Sequence, residues 1–136
     1  MKRYVLDANA VIRYLTQDEA SDKVALLIRE SRQGNARLSM SVINLGESLY
    51  ILMRSGDEAK ALQSIRSLQQ VVSIAEADVE RTIQAAMLKH HYKLGYADSF
   101  AAALAIEYNA TLVSADPSFE KLERKLKWMK LPRFRG

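Results

Sequence analysis

Four short strand-like runs constrain the fold of this chain more than anything else in it. They are Arg3–Leu6, Arg37–Met40, Val71–Ile74 and Thr111–Val113. Their apolar residues do not alternate with polar ones, as they do in strands that face water on one side, and this is the mark of strands buried on both faces. Between successive runs there is enough chain for at least one helix. Strands joined by helices imply right-handed crossovers and a parallel sheet with helices on both faces. A fifth run, Lys127–Lys130, is expected as an edge strand. Helical periodicity falls on Ala10–Leu15, Glu19–Ser31, Ser41–Arg54, Glu58–Gln69, Asp78–Leu94 and Ser99–Tyr108, with a short turn after Pro117. Gly34-Asn35 and Ser55-Gly56-Asp57 read as turns. In such sheets ligands bind at the carboxyl ends of the strands, near the point where strand order reverses.

The composition narrows the class. At 136 residues, 49% hydrophobic and 26% charged, the chain has the size and balance of one globular domain, covering 1–136. Without a cysteine there is no disulfide framework and no thiolate metal site. No run approaches a membrane span and the N-terminus lacks a signal-peptide pattern, so a cytoplasmic protein without membrane attachment is expected. The net charge of +4 is a weak pointer to an anionic partner. The tail "KLERKLKWMKLPRFRG" is strongly basic and carries Trp128 and Phe134. It reads equally as a solvated end with two hydrophobes packed back or as a nucleic-acid surface.

Acids recur where strands end. Asp7 closes the first strand in "LDANAVI", Asp116 follows the fourth in "TLVSADPSF", and Asp98 heads the helix of "YADSFAAALA". Singly, each reads as a helix cap, and Asp-Pro is a good helix start. Together they are harder to dismiss, because two of them follow strands expected to be neighbours. The Asp98 helix is apolar from Phe100 to Ile106, as a buried helix is, which places its start in a cleft. Glu47, in "NLGESLYIL", lies at the edge of an apolar stripe between Ile43 and Ile51. Gly46 beside it lowers helix propensity and is expected to let another backbone come close. Crowded carboxylates persist only when some hold protons or a cation sits among them. Oxygen donors without Cys or a His cluster suit Mg²⁺ or Mn²⁺ rather than Zn²⁺. Such a cation lowers the pKa of a bound water and shields charge on a phosphodiester. His90-His91 are adjacent on a helix and point apart, so they read as surface residues. Met40, Met53 and Met87 read as core filler.

These four segments, in this order and over essentially the whole chain, resemble the PIN domain family. Within it the chain is most similar to the VapC-type toxin ribonucleases of toxin–antitoxin pairs. The resemblance implies a three-layer α/β/α sandwich with a central parallel sheet of four to five strands and a Mg²⁺- or Mn²⁺-dependent endoribonuclease site. Its acidic quartet falls on Asp7, Glu47, Asp98 and Asp116, with supporting polar residues at Asn9 and Ser114. Chemistry and resemblance together assign Asp7 and Asp98 to direct metal coordination. Asp116 is a further ligand or a hold on metal-bound water, and Glu47 orients or deprotonates the attacking water or completes the metal shell. Asn9 and Ser114 position acids or phosphate. The partners implied are single-stranded RNA as substrate, a cognate antitoxin and a second copy in a homodimer. The apolar stripes of Glu19–Ser31 and Glu58–Gln69 leave a groove for a partner helix. Two alternatives stay open: an RNA-processing PIN nuclease without an antitoxin, and a non-catalytic binding module on the same fold. A phosphate-accepting receiver domain is disfavoured, since Asp7 has no adjacent acid and no late Lys takes the place of Ser114 and Asp116.

Overall fold

A computed structural model describes residues 1–17 and 21–132. Five strands form one all-parallel sheet: β1 (Lys2–Leu6), β2 (Ala36–Ser41), β3 (Val72–Ala75), β4 (Thr111–Ser114) and β5 (Lys127–Lys130), in the order β3-β2-β1-β4-β5. The helices are α1 (Ala8–Leu15), α2 (Ser21–Arg32), α3 (Val42–Ser55), α4 (Glu58–Leu68), α5 (Val79–Tyr92) and α6 (Tyr96–Tyr108). A 3₁₀ turn, Pro117–Leu122, precedes β5. This is the expected α/β/α sandwich with its fifth edge strand. Element positions match the sequence reading to within a residue or two at most ends. The start of the Glu19–Ser31 helix falls outside the described residues, as does Phe134.

Successive strand residues face opposite layers, and the two cores show it. Leu6 and its partner Val113 join Val11, Val24, Ile28, Met40 and Ile65 under α1, α2 and α4. Val5 and its partner Leu112 join Ala101, Leu104, Phe119 and Leu122 under α6 and the 3₁₀ turn. Helix α3 straddles the layers: Leu45, Leu49 and Leu52 pack on the first core and Ile43 on a small cluster with Phe100 and Ala103. The α6 segment Ser99–Ala105 is wholly buried, as its apolar run implied. Trp128 packs half-buried on the second core, and its indole N–H donates to the Ser114 carbonyl at 3.0 Å. That part of the basic tail is therefore a packed edge strand.

The chain builds β1, β2 and β3 to one side and then returns to lay β4 on the other side of β1. Strand order reverses between β1 and β4, and in sheets of this kind ligands bind at the carboxyl edge beside such a reversal. Among the described residues no helix is long and apolar enough to cross a membrane. His90 and His91 are exposed, as expected, while Met87 corrects the reading as core filler: it is 50% exposed on the outer face of α5.

Candidate active site

Asp7 is the residue at which β1 becomes α1. Its amide still bonds the Val113 carbonyl at 3.4 Å, and its carboxylate turns back to accept from the Ala10 amide at 2.8 Å. It caps the helix, and it is also almost wholly buried. Burial pushes its pKa to about 7. Hydrogen bonds from the Ser114 hydroxyl and the Ala10 amide oppose the rise, and the charges of Asp98 and Asp116 add to it. A surface N-cap shows no such rise; capping accounts for where Asp7 sits and not for its chemistry.

Asp116 lies two residues past β4, the strand paired with β1. Its side chain accepts from the Ser118 amide at 2.9 Å and starts the 3₁₀ turn at Pro117. Two further bonds hold its segment. Asn9 Oδ1 accepts from the Ala115 amide at 3.2 Å, and Ser114 Oγ accepts from the Asp116 amide at 3.0 Å. Both predicted supporting residues therefore act on the backbone beside the acids. Asn9 ties the β1–α1 turn to the β4 turn, and Ser114 bonds both Asp7 and the Asp116 backbone.

Asp98 requires a correction. It does not cap α6: the helix begins at Tyr96 behind Gly95, which supplies no side-chain cap, and Asp98 lies in the first turn. An acid there faces the positive end of the helix dipole. Asp98 is half-buried with a pKa of about 7, raised by burial first, then by the charge of Asp116, a carboxyl–carboxyl hydrogen bond to Asp116, and the charge of Glu47. Glu47 itself is exposed, on α3 behind its Ser41 cap. Asp98 and Asp116 thus both act on Asp7, and Asp116 and Glu47 both act on Asp98, although the four acids come from four separate segments. Among the described residues, no three His, Asp or Glu side chains converge closely enough to form a ready-made metal cage.

Two residues here were not legible in the sequence. A Cβ on Gly95 would lie 3.0 Å from Asp98 Oδ2, so this glycine leaves room for the carboxyl. Gly46, which the sequence singled out for a close backbone approach, is exposed, and a Cβ there would meet nothing within 4 Å. Asn44 is fully buried; it accepts from the Ala8 amide at 3.2 Å and donates to the Ala97 carbonyl at 3.1 Å. The available signal was a lone amide within the apolar run of α3, one turn before Glu47.

Comparison with known proteins agrees with this architecture. The fold is that of VapC toxins in several solved structures. VapBC2 from Rickettsia felis, bound to a fragment of its promoter DNA, superposes with a TM-score of 0.74 at 20% identity, over 96% of this chain and 99% of that one. DNA-bound VapBC from Salmonella typhimurium gives 0.74 at 17% identity, over 96% and 98%. VapC20 from Mycobacterium tuberculosis, a toxin that cleaves the Sarcin-Ricin loop, gives 0.68 at 16%, over 87% and 93%. No curated protein matches by sequence alone. Residues 4–125 match the PIN domain, and with that match spanning most of its length the chain belongs to the PIN domain family.

Proposed function

We propose that this protein is a metal-dependent endoribonuclease that cuts single-stranded regions of RNA, and that it is the toxin of a type II toxin–antitoxin pair, with the whole chain acting as one catalytic domain. One observation carries the reading: Asp7 and Asp116 follow paired neighbouring strands at the switch point of a parallel sheet, both act on Asp98 or are acted on by it, and Glu47 acts on Asp98 as well. The donor set fits Mg²⁺ or Mn²⁺, being all oxygen and anionic once deprotonated. Asp7 and Asp98 would hold the cation, with Asp116 beside them, and its positive charge would offset the burial and repulsion that raise the proton affinity of Asp7 and Asp98. A bound cation supplies an acidified water and shields the charge of a phosphodiester. Glu47, exposed and close enough to act on Asp98, would orient the attacking water or take its proton. Asn9 and Ser114 keep the Asp7 and Asp116 turns in register, so that the acids do not spread under mutual repulsion.

Three relatives on this fold support the wider reading. Two are complexes whose names pair toxin with antitoxin, and one is a toxin that cuts RNA. In this chain a groove of about 450 Å³ runs between α1, α2 and α4, floored by Leu15, Ile28 and Leu68. Leu26 and Leu62 are exposed on α2 and α4. An amphipathic antitoxin helix suits it. For the homodimer, Val79, Ile83 and Met87 of α5 and Ile106 of α6 leave apolar surface exposed. The test is cleavage of single-stranded RNA by purified protein with Mg²⁺ or Mn²⁺, and its loss in EDTA. Full activity in chelator, or activity with Zn²⁺ alone, overturns the metal assignment. Co-purification with the product of the adjacent gene tests the toxin assignment against an RNA-processing nuclease, and light scattering tests the dimer.

A further inference from the structure

We infer that Asn44 is a positioning residue of the acidic site, one side chain that sets the spacing of Asp7, Asp98 and Glu47; the inference rests on the metal-dependent reading above. Its two hydrogen bonds are both long-range, crossing 36 and 53 residues of sequence, and both end beside an acid. Ala8, whose amide it accepts from, follows Asp7, and Ala97, whose carbonyl it donates to, precedes Asp98. Glu47 lies one turn further along the helix that carries Asn44. Three acid-bearing segments with no local connection are thereby joined through one amide.

The chemistry admits few substitutes. The Ala8 amide is one of the N–H groups that an α-helix leaves without an internal partner at its start. With Asn44 taking it up, capping of α1 draws on only one oxygen of Asp7, the Oδ1 that accepts from Ala10. The Ala97 carbonyl needs a donor at the same depth. A carboxamide offers an acceptor and a donor on one short rigid fork, and only one orientation satisfies both neighbours. Asp would set a second acceptor against the Ala97 carbonyl, and Leu would strand both groups. Asn44 is 0% exposed, so water cannot take over either bond without a change in packing.

Ser48 provides the internal control. It is equally buried, also on α3, and its hydroxyl donates to the Asn44 carbonyl at 2.8 Å, within its own helix. Mn²⁺ binding by calorimetry, melting temperature and RNA cleavage are compared for wild type, Asn44→Ala and Ser48→Ala. Both variants should melt lower. Only Asn44→Ala should bind Mn²⁺ roughly tenfold or more weakly and need correspondingly more metal for cleavage, as expected when a supporting contact of a metal site is lost. If Asn44→Ala does not fold, Asn44→Thr carries the test, because its single hydroxyl oxygen replaces the separate acceptor and donor atoms with which the amide spans Ala8 and Ala97. Mn²⁺ affinity in the folded Asn44 variant equal to that of Ser48→Ala overturns the inference alone. Wild type that binds no Mn²⁺ overturns the metal reading and the inference with it.

Discussion

The two ends of the sheet each gather like charges, yet they differ in what those charges cost. At the amino end Lys2, Arg3, Arg37 and Lys127 stand together, with Arg3 directly opposite Arg37 in the β1–β2 register. All four are exposed. Like charges opposite one another on a sheet are unfavourable, but in water they are screened and the penalty is small. At the carboxyl end Asp7 is buried and Asp98 half-buried, and both are raised to about 7, with burial the largest cause in each case. The contrast locates the difference in desolvation more than in the sign or number of charges. Helix direction adds to it. In this topology α1, α3 and α6 start at the carboxyl edge, where their positive ends face the acids, and negative helix ends lie toward the basic edge. Among the described residues the larger electrostatic cost lies at the carboxyl end, and that end is the one proposed for chemistry.

The largest effect that could break this contrast is removal of one buried charge. Asp98→Asn and Asp7→Asn should each lower RNA cleavage by roughly two orders of magnitude or more, and the double variant should lose little beyond that, since these residues act as a unit. Metal-free melting at pH 8 should hold or rise, because a neutral isostere replaces a carboxyl that resists ionisation there. Near wild-type cleavage by Asp98→Asn would remove the centre of the proposal.

Next comes pH. The folded values of Asp7 and Asp98, about 7, lie above the ordinary value of 3.8. Between about pH 4 and 7 the folded chain therefore binds more protons than the unfolded one, so stability falls as pH rises through this window and levels off above it. Metal-free protein should melt roughly 5 °C or more lower at pH 8 than at pH 5. Mn²⁺ should recover the difference, raising the melting temperature more at pH 8 than at pH 5, where it must displace protons. Thermal scans at the two pH values, with and without Mn²⁺, decide it.

Gly95→Ala should have a smaller effect. The new Cβ would crowd Asp98 Oδ2 at 3.0 Å, and a terminal carboxyl can swing aside. The backbone at Gly95, φ −61° and ψ 153°, suits alanine. Melting should change by only about a degree or two, while cleavage and Mn²⁺ affinity fall roughly fivefold to tenfold from the displaced carboxylate. Equal changes in both would make Gly95 merely a packing residue. Smallest of all, Arg3→Gln with Arg37→Gln should leave cleavage of a short RNA within about twofold, as surface changes away from a site do. A large loss would make the basic edge part of the RNA path.

Where the sequence reading succeeded, the information was local. Unbroken apolar runs marked buried strands, and the helix expected from Ser41 onward is capped by Ser41 through a neighbouring amide. Gly34 sits in its turn at φ 81°. Where it failed, the deciding contact came from a distant segment. Asp98 looked like a cap because Asp at the head of an apolar run usually is one, whereas α6 begins three residues earlier than the Ser99 start expected from the sequence. The significance of Gly95 depends on where the Asp98 carboxyl folds back. Gly46 carries the same residue type and makes no such contact.

By itself the sequence determined the parallel α/β class and the oxygen-donor chemistry open to its acids, because strand burial, helix period and ligand type are properties of residues and their near neighbours, while the grouping of Asp7, Glu47, Asp98 and Asp116 as one set came with the family resemblance. Only the tertiary structure decided that the reversal of strand order falls between β1 and β4, that Asp7 caps a helix and is also buried among acids, and that Asn44 reaches both Ala8 and Ala97. Proton affinity and positioning depend on what surrounds a group after the chain has closed, and those surroundings come from segments tens of residues away.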